Sequence, residues 1–411
     1  MVEDQRKGTT SKGKLPLAGV TVLDLTTFLS GPFCTQILAD LGAEVLKVES
    51  LDGDSSRGIP PYFVGDDSAY FLGNNRSKRS IALNLKTPQG LEVALRLIGE
   101  CDVVVENFRP GVCKRLGLDA DRLREQYPGL VWASISGFGQ HGPWHDRPAY
   151  DMIVQALSGV MSLTGEESGP SLRLGIPAGD LVAGMYAAIG VLAALVQHER
   201  TGKGAAIDVS MLDCQLAMLS YQGVYALFSG VDPKPQGRHH DSIPTYRSFT
   251  GADSRELVVT ANTERMWTEL CDELGLPELP VDARFNTSAS RLDNKVELWG
   301  LLESAFRVAP AGDWVDRLNA RGVPAALINS VNEALIDAGN SGRGMVVELK
   351  HPDGRAVSVL GNPIKIDGEV GIEARYPPAL GEDTADVLVQ LGYGASQIEA
   401  MQLSGVIRSG G

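Results

Sequence analysis

A run of sixteen residues without a charge, 181–196, most strongly limits the folds open to this chain of 411 residues. Small residues recur along it: Ala183, Gly184, Ala187, Ala188, Gly190, Ala193 and Ala194. At 3.6 residues per turn these positions cover most of a helix surface, so the pattern predicts a helix that is buried on all sides. A membrane span is disfavoured, because such a run is short for about 30 Å of hydrocarbon.

An acidic residue, Asp180, stands directly before this run, and Gly202 follows its polar end. An N-cap aspartate and a C-terminal glycine are the usual boundaries of a helix. The positive helix end favours a carboxylate, so Asp180 is predicted to be an ionised N-cap. Capping alone explains many such residues, and a functional role needs further support.

Composition restricts both the architecture and the partners. A chain of this length favours two domains. The net charge is −14, which argues against a nucleic-acid or membrane-surface partner. The five cysteines are scattered and form no CxxC pair, which favours a cytoplasmic protein without structural zinc. The N-terminal residues 1–15 contain no long apolar segment, so we expect a flexible tail and not a signal peptide.

The segment 20–136 alternates between two kinds of pattern. Strands are predicted at 20–25, 43–49, 80–85, 102–105 and 130–136, with helices at 33–41 and from Pro88 to about 100. Such alternation predicts an α/β fold with a parallel sheet that is covered by helices on both faces. Ligands bind beyond the carboxyl ends of such strands, so the loops after the strands are candidate binding sites.

The second half of the chain is less regular. A helix is predicted from Met211 to about 229, and the Pro- and Gly-rich stretch 230–242 reads as a domain boundary. A smaller unit with helices and strands follows. The pattern alone leaves open whether the C-terminal third belongs to that unit or to the first.

Four other features have competing interpretations. The run 137–142 is a formal GxGxxG, but Pro143 and Pro148 interrupt the helix that a dinucleotide site needs, so a dehydrogenase is a minor alternative. The basic cluster 75–80 is either a solvated turn or a local anion site. Asp151 is interpreted as the cap of its own helix, and His239-His240-Asp241 is not predicted to bind a metal.

Many stretches together resemble the class III CoA-transferases, a family that includes formyl-CoA transferase and carnitine CoA-transferase. They are 17–49, 74–90, 102–118, 133–143, 150–165, the Asp180 stretch, 200–213, 322–331, 351–365 and 377–393. The resemblance implies a Rossmann-like large domain at 16–229 and 341–411, a smaller α/β domain at 230–340, and an interlocked homodimer.

The same resemblance implies a chemistry. Asp180 matches the nucleophilic aspartate of the family, which attacks an acyl-CoA and passes through anhydride and aspartyl-CoA thioester intermediates to hand CoA to an acceptor acid. Acyl-CoA is then a substrate, and no permanently bound cofactor is expected. Residue matches place the CoA site at Leu29, Ser30, Leu83, Lys86, Asn107, Phe108, Arg109, Arg115 and Tyr150. For Asn107 and Phe108, a satisfied turn before Pro110 is an equal alternative.

The chain differs from two subgroups of the family at single positions, and these differences disfavour the functions of those subgroups. Formyl-CoA transferases carry Gln and Arg where this chain has Leu29 and Ser50, so a formyl or oxalyl substrate is disfavoured. The related α-methylacyl-CoA racemases use a His at the position of Tyr150, and a phenol with a pKa near 10 is a poor base at pH 7. A racemase and a silent CoA-binding homologue remain alternatives. Succinyl-CoA and a dicarboxylate are the expected substrates, with Arg147, Arg238, His240 and Arg247 as candidates for a distal carboxylate.

Overall fold

The computed structural model describes residues 15–367 and 374–410. Contacts divide the chain into two compact units. Unit 1 contains residues up to 160, 173–228 and from 338 onward, and unit 2 contains 161–172 and 229–337. The C-terminal segment therefore packs with the N-terminal part of the chain, while the short segment 161–172 packs with the smaller unit.

The strands of the described residues are numbered in chain order. They are β1 (Thr21–Asp24), β2 (Glu44–Glu49), β3 (Phe63–Val64), β4 (Asp67–Ser68), β5 (Lys78–Leu83), β6 (Val103–Glu106), β7 (Val131–Ser136), β8 (Ala206–Ser210), β9 (Tyr246–Thr250), β10 (Glu256–Thr260), β11 (Ala325–Leu327), β12 (Val346–Lys350), β13 (Ala356–Leu360) and β14 (Ile407–Arg408).

The α-helices are numbered in the same way. They are α1 (Ser30–Asp40), α2 (Ala69–Leu72), α3 (Pro88–Glu100), α4 (Val112–Arg115), α5 (Ala120–Gln126), α6 (Asp151–Leu157), α7 (Val160–Leu163), α8 (Ala178–Thr201), α9 (Met211–Met218), α10 (Ser220–Ser229), α11 (Glu264–Glu273), α12 (Ser288–Asp293), α13 (Lys295–Phe306), α14 (Ala311–Ala320), α15 (Val331–Asn340), α16 (Thr384–Gln390) and α17 (Ala395–Leu403).

Unit 1 is built on a seven-stranded sheet with the order β14-β5-β2-β1-β6-β7-β8. All neighbours are parallel except β14, which is antiparallel to β5. The predicted α/β class with a parallel sheet is confirmed. Strands β1, β2, β5, β6 and β7 lie within two residues of their predicted positions, whereas both edge strands, β8 and β14, were not predicted.

Two apolar cores lie on opposite faces of this sheet, because successive side chains of a strand point to opposite sides. Val22, Val103 and Val105 belong to the core that contains α1 and α8, whereas Leu23 and Val104 belong to the core that contains α3 and α16. Strands buried on both faces carry almost continuous apolar runs, as β6 does.

Helix α8 differs from the prediction on one side. Its small residues, among them Ala183, Ala187 and Ala188, are buried, but Met185, Tyr186 and Ile189 are exposed, so the helix is not buried all round. Within the described residues it is the one helix whose length and composition would allow it to cross a membrane, a property that core helices of soluble proteins share. Its buried face packs against α1, β7 and α9.

Unit 2 has its own core. The antiparallel sheet β11-β10-β9 packs with α11, α13 and α14 around buried residues that include Phe249, Trp267 and Phe306.

The helix predicted from Met211 to about 229 is divided, because α9 ends at Met218 and Ser220 begins α10 with φ +50°.

Candidate active site

The first turn of α8 brings Asp180 against the beginning of α1. The two helices approach so closely that a Cβ on Gly184 would lie 2.6 Å from the carbonyl oxygen of Ser30. Ser30 is the first residue of α1, and its hydroxyl is close enough to the Asp180 carboxyl to lower the pKa of that group. The carboxylate and the end of strand β1 are thereby joined at the carboxyl edge of the sheet, where ligands of such folds bind.

The electrostatic surroundings of Asp180 differ from the prediction. Its pKa is raised to about 7, first by burial and then by the charge of Asp151, whereas the hydrogen bond from Ser30 lowers it. The expectation that the helix end keeps this carboxyl fully ionised near neutral pH is therefore wrong. A carboxyl with this pKa is roughly half ionised at pH 7, and its charged form is poorly solvated.

The predicted capping roles of two aspartates are also wrong. Asp180 is the third residue of α8, Pro177 is at the N-cap position, and no side chain of α8 itself caps the helix. Asp151 is the first residue of α6, and its Oδ1 accepts a hydrogen bond from the Gly179 N–H at 2.7 Å. Asp151 therefore caps α8, and this contact brings its charge close to Asp180.

Side chains hold the loop that leads from β1 into α1. The Thr26 N–H donates to Asp24 Oδ1, and the Thr27 N–H donates to Asn107 Oδ1, both at 2.9 Å. The Phe28 N–H donates to Asp54 Oδ1 at 3.2 Å, with Phe28 at φ +62°. A non-glycine residue with positive φ is uncommon, so this conformation depends on the contacts that fix it.

The predicted CoA residues all lie in unit 1. Leu29 and Ser30 are buried at the start of α1, Leu83 ends β5, and Lys86 is exposed in the following turn. After β6, Asn107 and Phe108 are partly buried and Arg109 is exposed. Arg115 ends α4, and Tyr150 is 70% exposed before α6. All except Arg115 and Tyr150 lie at or shortly after the carboxyl ends of β1, β5 and β6.

Asn107 and Phe108 are engaged within the protein. The Asn107 side chain both accepts from the Thr27 N–H and donates to the Thr27 carbonyl at 2.8 Å. The Phe108 N–H donates to Glu106 Oε2 at 2.8 Å. These polar groups have the partners expected for a satisfied turn, so their direct contribution is to fix the loops around the site.

Three exposed cations of unit 1 lie in the segments that follow β5 and β6. Lys86, Arg109 and Arg115 form no ion pair with the part of the chain that the structure describes. Exposed cations without a carboxylate partner can pair with phosphate groups. They are the best candidates for the phosphates of CoA.

The basic cluster at 75–80 serves a different purpose from the anion site considered above. Arg76 pairs with the buried Asp40, Lys78 with Asp24 at 3.0 Å, and Arg79 with Glu44 and Asp383. Arg76 also donates to the Leu360 carbonyl at 2.7 Å. The cluster thus ties the C-terminal segment to the sheet of unit 1, and its charges are used internally.

The glycine motif at 137–142 is likewise a structural turn. Both carboxylate oxygens of Asp208 accept the Gln140 N–H, at 3.0 and 2.9 Å. Gly139 has φ +82°, and a Cβ there would lie 3.3 Å from the same carboxylate. An internal anion occupies the turn where a dinucleotide would place its phosphates, which excludes the dehydrogenase interpretation for this loop.

Two titratable residues that the sequence-based reasoning did not single out have raised pKa values, and one of them, Tyr70, lies near Asp180. Tyr70 lies close enough to Asp180, Asp54 and Asp151 that burial and these three charges raise its pKa to about 12. Burial likewise raises the pKa of Glu106 to about 7, against hydrogen bonds from Ser134 and Phe108. Tyr70 lies outside the stretches that resemble the family, and Glu106 lies within the stretch 102–118, but its burial does not follow from the local sequence.

The candidates for a distal carboxylate have partners of their own. In unit 2, Arg238 pairs with Glu256, and Arg247 lies 3.9 Å from Glu303. His240 lies 2.9 Å from Asp241 and stacks on Tyr246. In unit 1, Arg147 lies over the ring of Trp144, 4.4 Å from its centroid.

A partly buried carboxyl at the carboxyl edge of a parallel sheet is suited to covalent chemistry on a bound substrate. Comparison with known proteins assigns the class: the model of CoA-transferase family III matches residues 17–384, and the chain belongs to this family. Its members are enzymes, and the predicted resemblance is confirmed.

Individual proteins of known name or structure are similar to this chain over most of its length. Mouse succinyl-CoA:glutarate CoA-transferase is 38% identical over 95% of this chain and 90% of its own length. Acetyl-CoA:oxalate CoA-transferase of Acetobacter aceti is 41% identical over 88% of this chain and 91% of its own length. A solved CAIB/BAIF family protein from Brucella suis has a TM-score of 0.82 and 36% identity, covering 92% of this chain and 99% of that protein.

Proposed function

We propose that this protein transfers CoA from an acyl-CoA to a carboxylic acid, with Asp180 as the covalent nucleophile. The observation that carries the proposal is the position of Asp180, a partly buried carboxyl in the first turn of α8 next to the Gly179 N–H that Asp151 caps, with a pKa raised to about 7. At neutral pH a large fraction of this group is a carboxylate. Because that carboxylate is poorly solvated, it is a stronger nucleophile than an exposed one.

In each step of the reaction, a nucleophile adds to a carbonyl carbon and a leaving group departs from it. A carboxylate oxygen of Asp180 attacks the thioester carbonyl, and the C–S bond breaks to give an acyl-aspartyl anhydride and CoA thiolate. The thiolate attacks the Asp180 carbonyl carbon and releases the donor acid, which leaves an aspartyl-CoA thioester. The acceptor carboxylate attacks this thioester, and the C–S bond breaks to give a second anhydride and CoA thiolate. CoA thiolate then attacks the acceptor acyl carbon and restores Asp180.

For the substrates we propose succinyl-CoA as donor and a dicarboxylate such as glutarate as acceptor. The support is the name of the mouse relative, succinyl-CoA:glutarate CoA-transferase, together with Leu29 and Ser50 in place of the Gln and Arg of formyl-CoA transferases. Lys86, Arg109 and Arg115 would hold the phosphates of CoA. We further propose an interlocked homodimer that works in the cytoplasm.

The test is mass spectrometry of the protein after incubation with succinyl-CoA and then hydroxylamine, which captures an activated carboxyl as a hydroxamate. We expect the modification on the peptide that carries Asp180, and none in the Asp180→Ala variant. An unmodified Asp180 with every acyl-CoA tried, while CoA still binds, would contradict the proposal. Exchange of the substrate α-proton in heavy water would then identify a racemase.

A further inference from the structure

A buried ion pair lies beneath the loop that precedes Ser30. Lys47 Nζ and Asp54 Oδ2 are 2.9 Å apart, and both side chains are inaccessible to solvent. Lys47 also donates to the Thr26 carbonyl at 2.7 Å, while Asp54 Oδ1 accepts from the Phe28 N–H. The pair therefore holds the loop at two peptide groups, one on each side of Thr27.

The pair is itself fixed from outside the loop. The Asp54 N–H donates to Glu49 Oε2 at 2.9 Å, and Glu49 is held by Arg57 and Ser80. Nearby charges raise the pKa of Lys47 and lower that of Asp54 despite burial, so both groups are charged in the folded protein. The charges of both residues are directed inward, and neither is placed to meet a substrate.

Stability alone is a weak reason for such a pair. Replacing a buried ion pair by apolar residues of similar volume is often neutral or stabilising, because desolvation offsets the Coulomb attraction. What an ion pair supplies beyond packing is a fixed direction for each hydrogen bond. Here those directions hold Phe28 at φ +62°, two residues before Ser30, whose carbonyl lies against Gly184 of the helix that carries Asp180.

We propose that Lys47 and Asp54 are positioning residues for Asp180, acting through the Thr26–Phe28 loop and the Ser30 hydroxyl. The proposal rests on the proposed function, in which Asp180 is the nucleophile. Displacement of Ser30 leaves the carboxylate free to turn away from the thioester carbonyl. The chemical step then slows, while the cations that bind CoA keep their places.

The first experiment uses the Asp54→Asn variant of the full chain, with the acyl-CoA donor that modifies Asp180. Asn keeps an oxygen acceptor for the Phe28 N–H but removes the charge that Lys47 pairs with. We expect kcat to fall about 10- to 100-fold, the range for misplaced catalytic groups, with the KM for acyl-CoA changed less than about twofold. An unchanged kcat would overturn the proposal.

A double-mutant comparison tests the route of the effect. If Asp54 acts through Ser30, the Asp54→Asn, Ser30→Ala double variant is no slower than the slower single variant. If the loss of kcat in the double variant equals the product of the two single losses, the ion pair does not act through Ser30, and the proposal is contradicted. The matched control is Asp40→Asn, which breaks the buried pair with Arg76 at the opposite end of α1 from Ser30. It should lower the unfolding temperature and leave kcat within about twofold.

A second pair of variants covers the case in which Asp54→Asn does not fold. Phe28→Gly frees the backbone at the positive φ without removing a buried charge, and Phe28→Ala removes the same ring without that freedom. We expect Phe28→Gly to have the lower kcat and an equal or higher unfolding temperature. Equal kcat values would overturn the proposal. Asp180→Ala separates the two hypotheses, since transfer by that variant would refute the nucleophile itself.

Discussion

Asp180 combines a functional advantage with a cost in stability. Its pKa is about 7 in the folded chain against a usual 3.8. Between these values the unfolded chain is ionised while the folded chain still holds the proton, so the free energy of unfolding decreases as pH rises from 4 to 7. Above pH 7 the loss is complete, and it persists at any higher pH.

We therefore predict that Asp180→Asn stabilises the protein while it abolishes transfer. The unfolding temperature should rise by roughly 3–10 °C at pH 8, and by less than half as much at pH 4.5. Thermal unfolding followed by circular dichroism at the two pH values measures the difference. The exposed Asp213 supplies the control, because Asp213→Asn should show no such pH-dependent gain. Equal gains at both pH values would contradict the assigned environment.

The charge of Asp151 should set the pH profile of the reaction. For wild type we expect kcat/KM to rise with pH through an inflection near 7, because the nucleophile must be ionised. Asp151→Asn keeps an oxygen for the Gly179 N–H but removes the negative charge, so the inflection should move to lower pH. Initial rates between pH 5 and 9 measure it, and an unmoved inflection would show that Asp151 acts only as a cap.

The sequence could indicate Asp180 but could not describe its surroundings. Resemblance to a family identifies one residue by its neighbours along the chain. The cap from Asp151, the Ser30 hydroxyl and the approach of Tyr70 join residues from separate elements. Predicting such contacts requires the relative positions of α1, α2, α6 and α8, which a local pattern does not contain.

At the scale of elements, the packing of α8 on α1 depends on Gly184. A Cβ there would lie 2.6 Å from the Ser30 carbonyl oxygen and 3.1 Å from Phe33 Cδ1, so the helices must separate. We predict that Gly184→Ala lowers the free energy of unfolding by about 1–3 kcal/mol and reduces kcat. Gly300→Ala in α13 is the control, because a Cβ there meets nothing within 4 Å. It should be stabilising by about 0.5–1 kcal/mol. Denaturant unfolding of both variants distinguishes packing from helix propensity.

The elements that were predicted well are those with strong local signals. Helix α3 has Pro88 at its start, and the Thr87 hydroxyl accepts from the Gly90 N–H, as such a sequence indicates. The interruption between α9 and α10 has no such signal, because Ser220 takes a positive φ and neither of its chain neighbours is Gly or Pro. Strand β14 is two residues long, too short for any periodicity to show.

At the scale of the whole molecule, helix α10 exposes several neighbouring apolar side chains. Leu227 and Phe228 of α10 are 89% and 93% exposed in the single chain, next to the exposed Val224 and Tyr225. Contiguous apolar surface of this kind marks an interface. We predict that the protein sediments at twice the chain mass of 43.8 kDa. Leu227→Asp with Phe228→Asp should weaken this association. A monomeric wild type would contradict the homodimer.

The antiparallel pairing of β14 with β5 has a consequence for synthesis on the ribosome. The Asn84 side chain donates to the Gly405 carbonyl across 321 residues, and the neighbouring strand β5 has no outer partner until that region emerges. At 5–20 residues per second, this interval lasts roughly 15–60 s. During it β5 is an open sheet edge that can pair with another nascent chain. Chaperone occupancy of nascent chains should therefore persist until β14 leaves the exit tunnel.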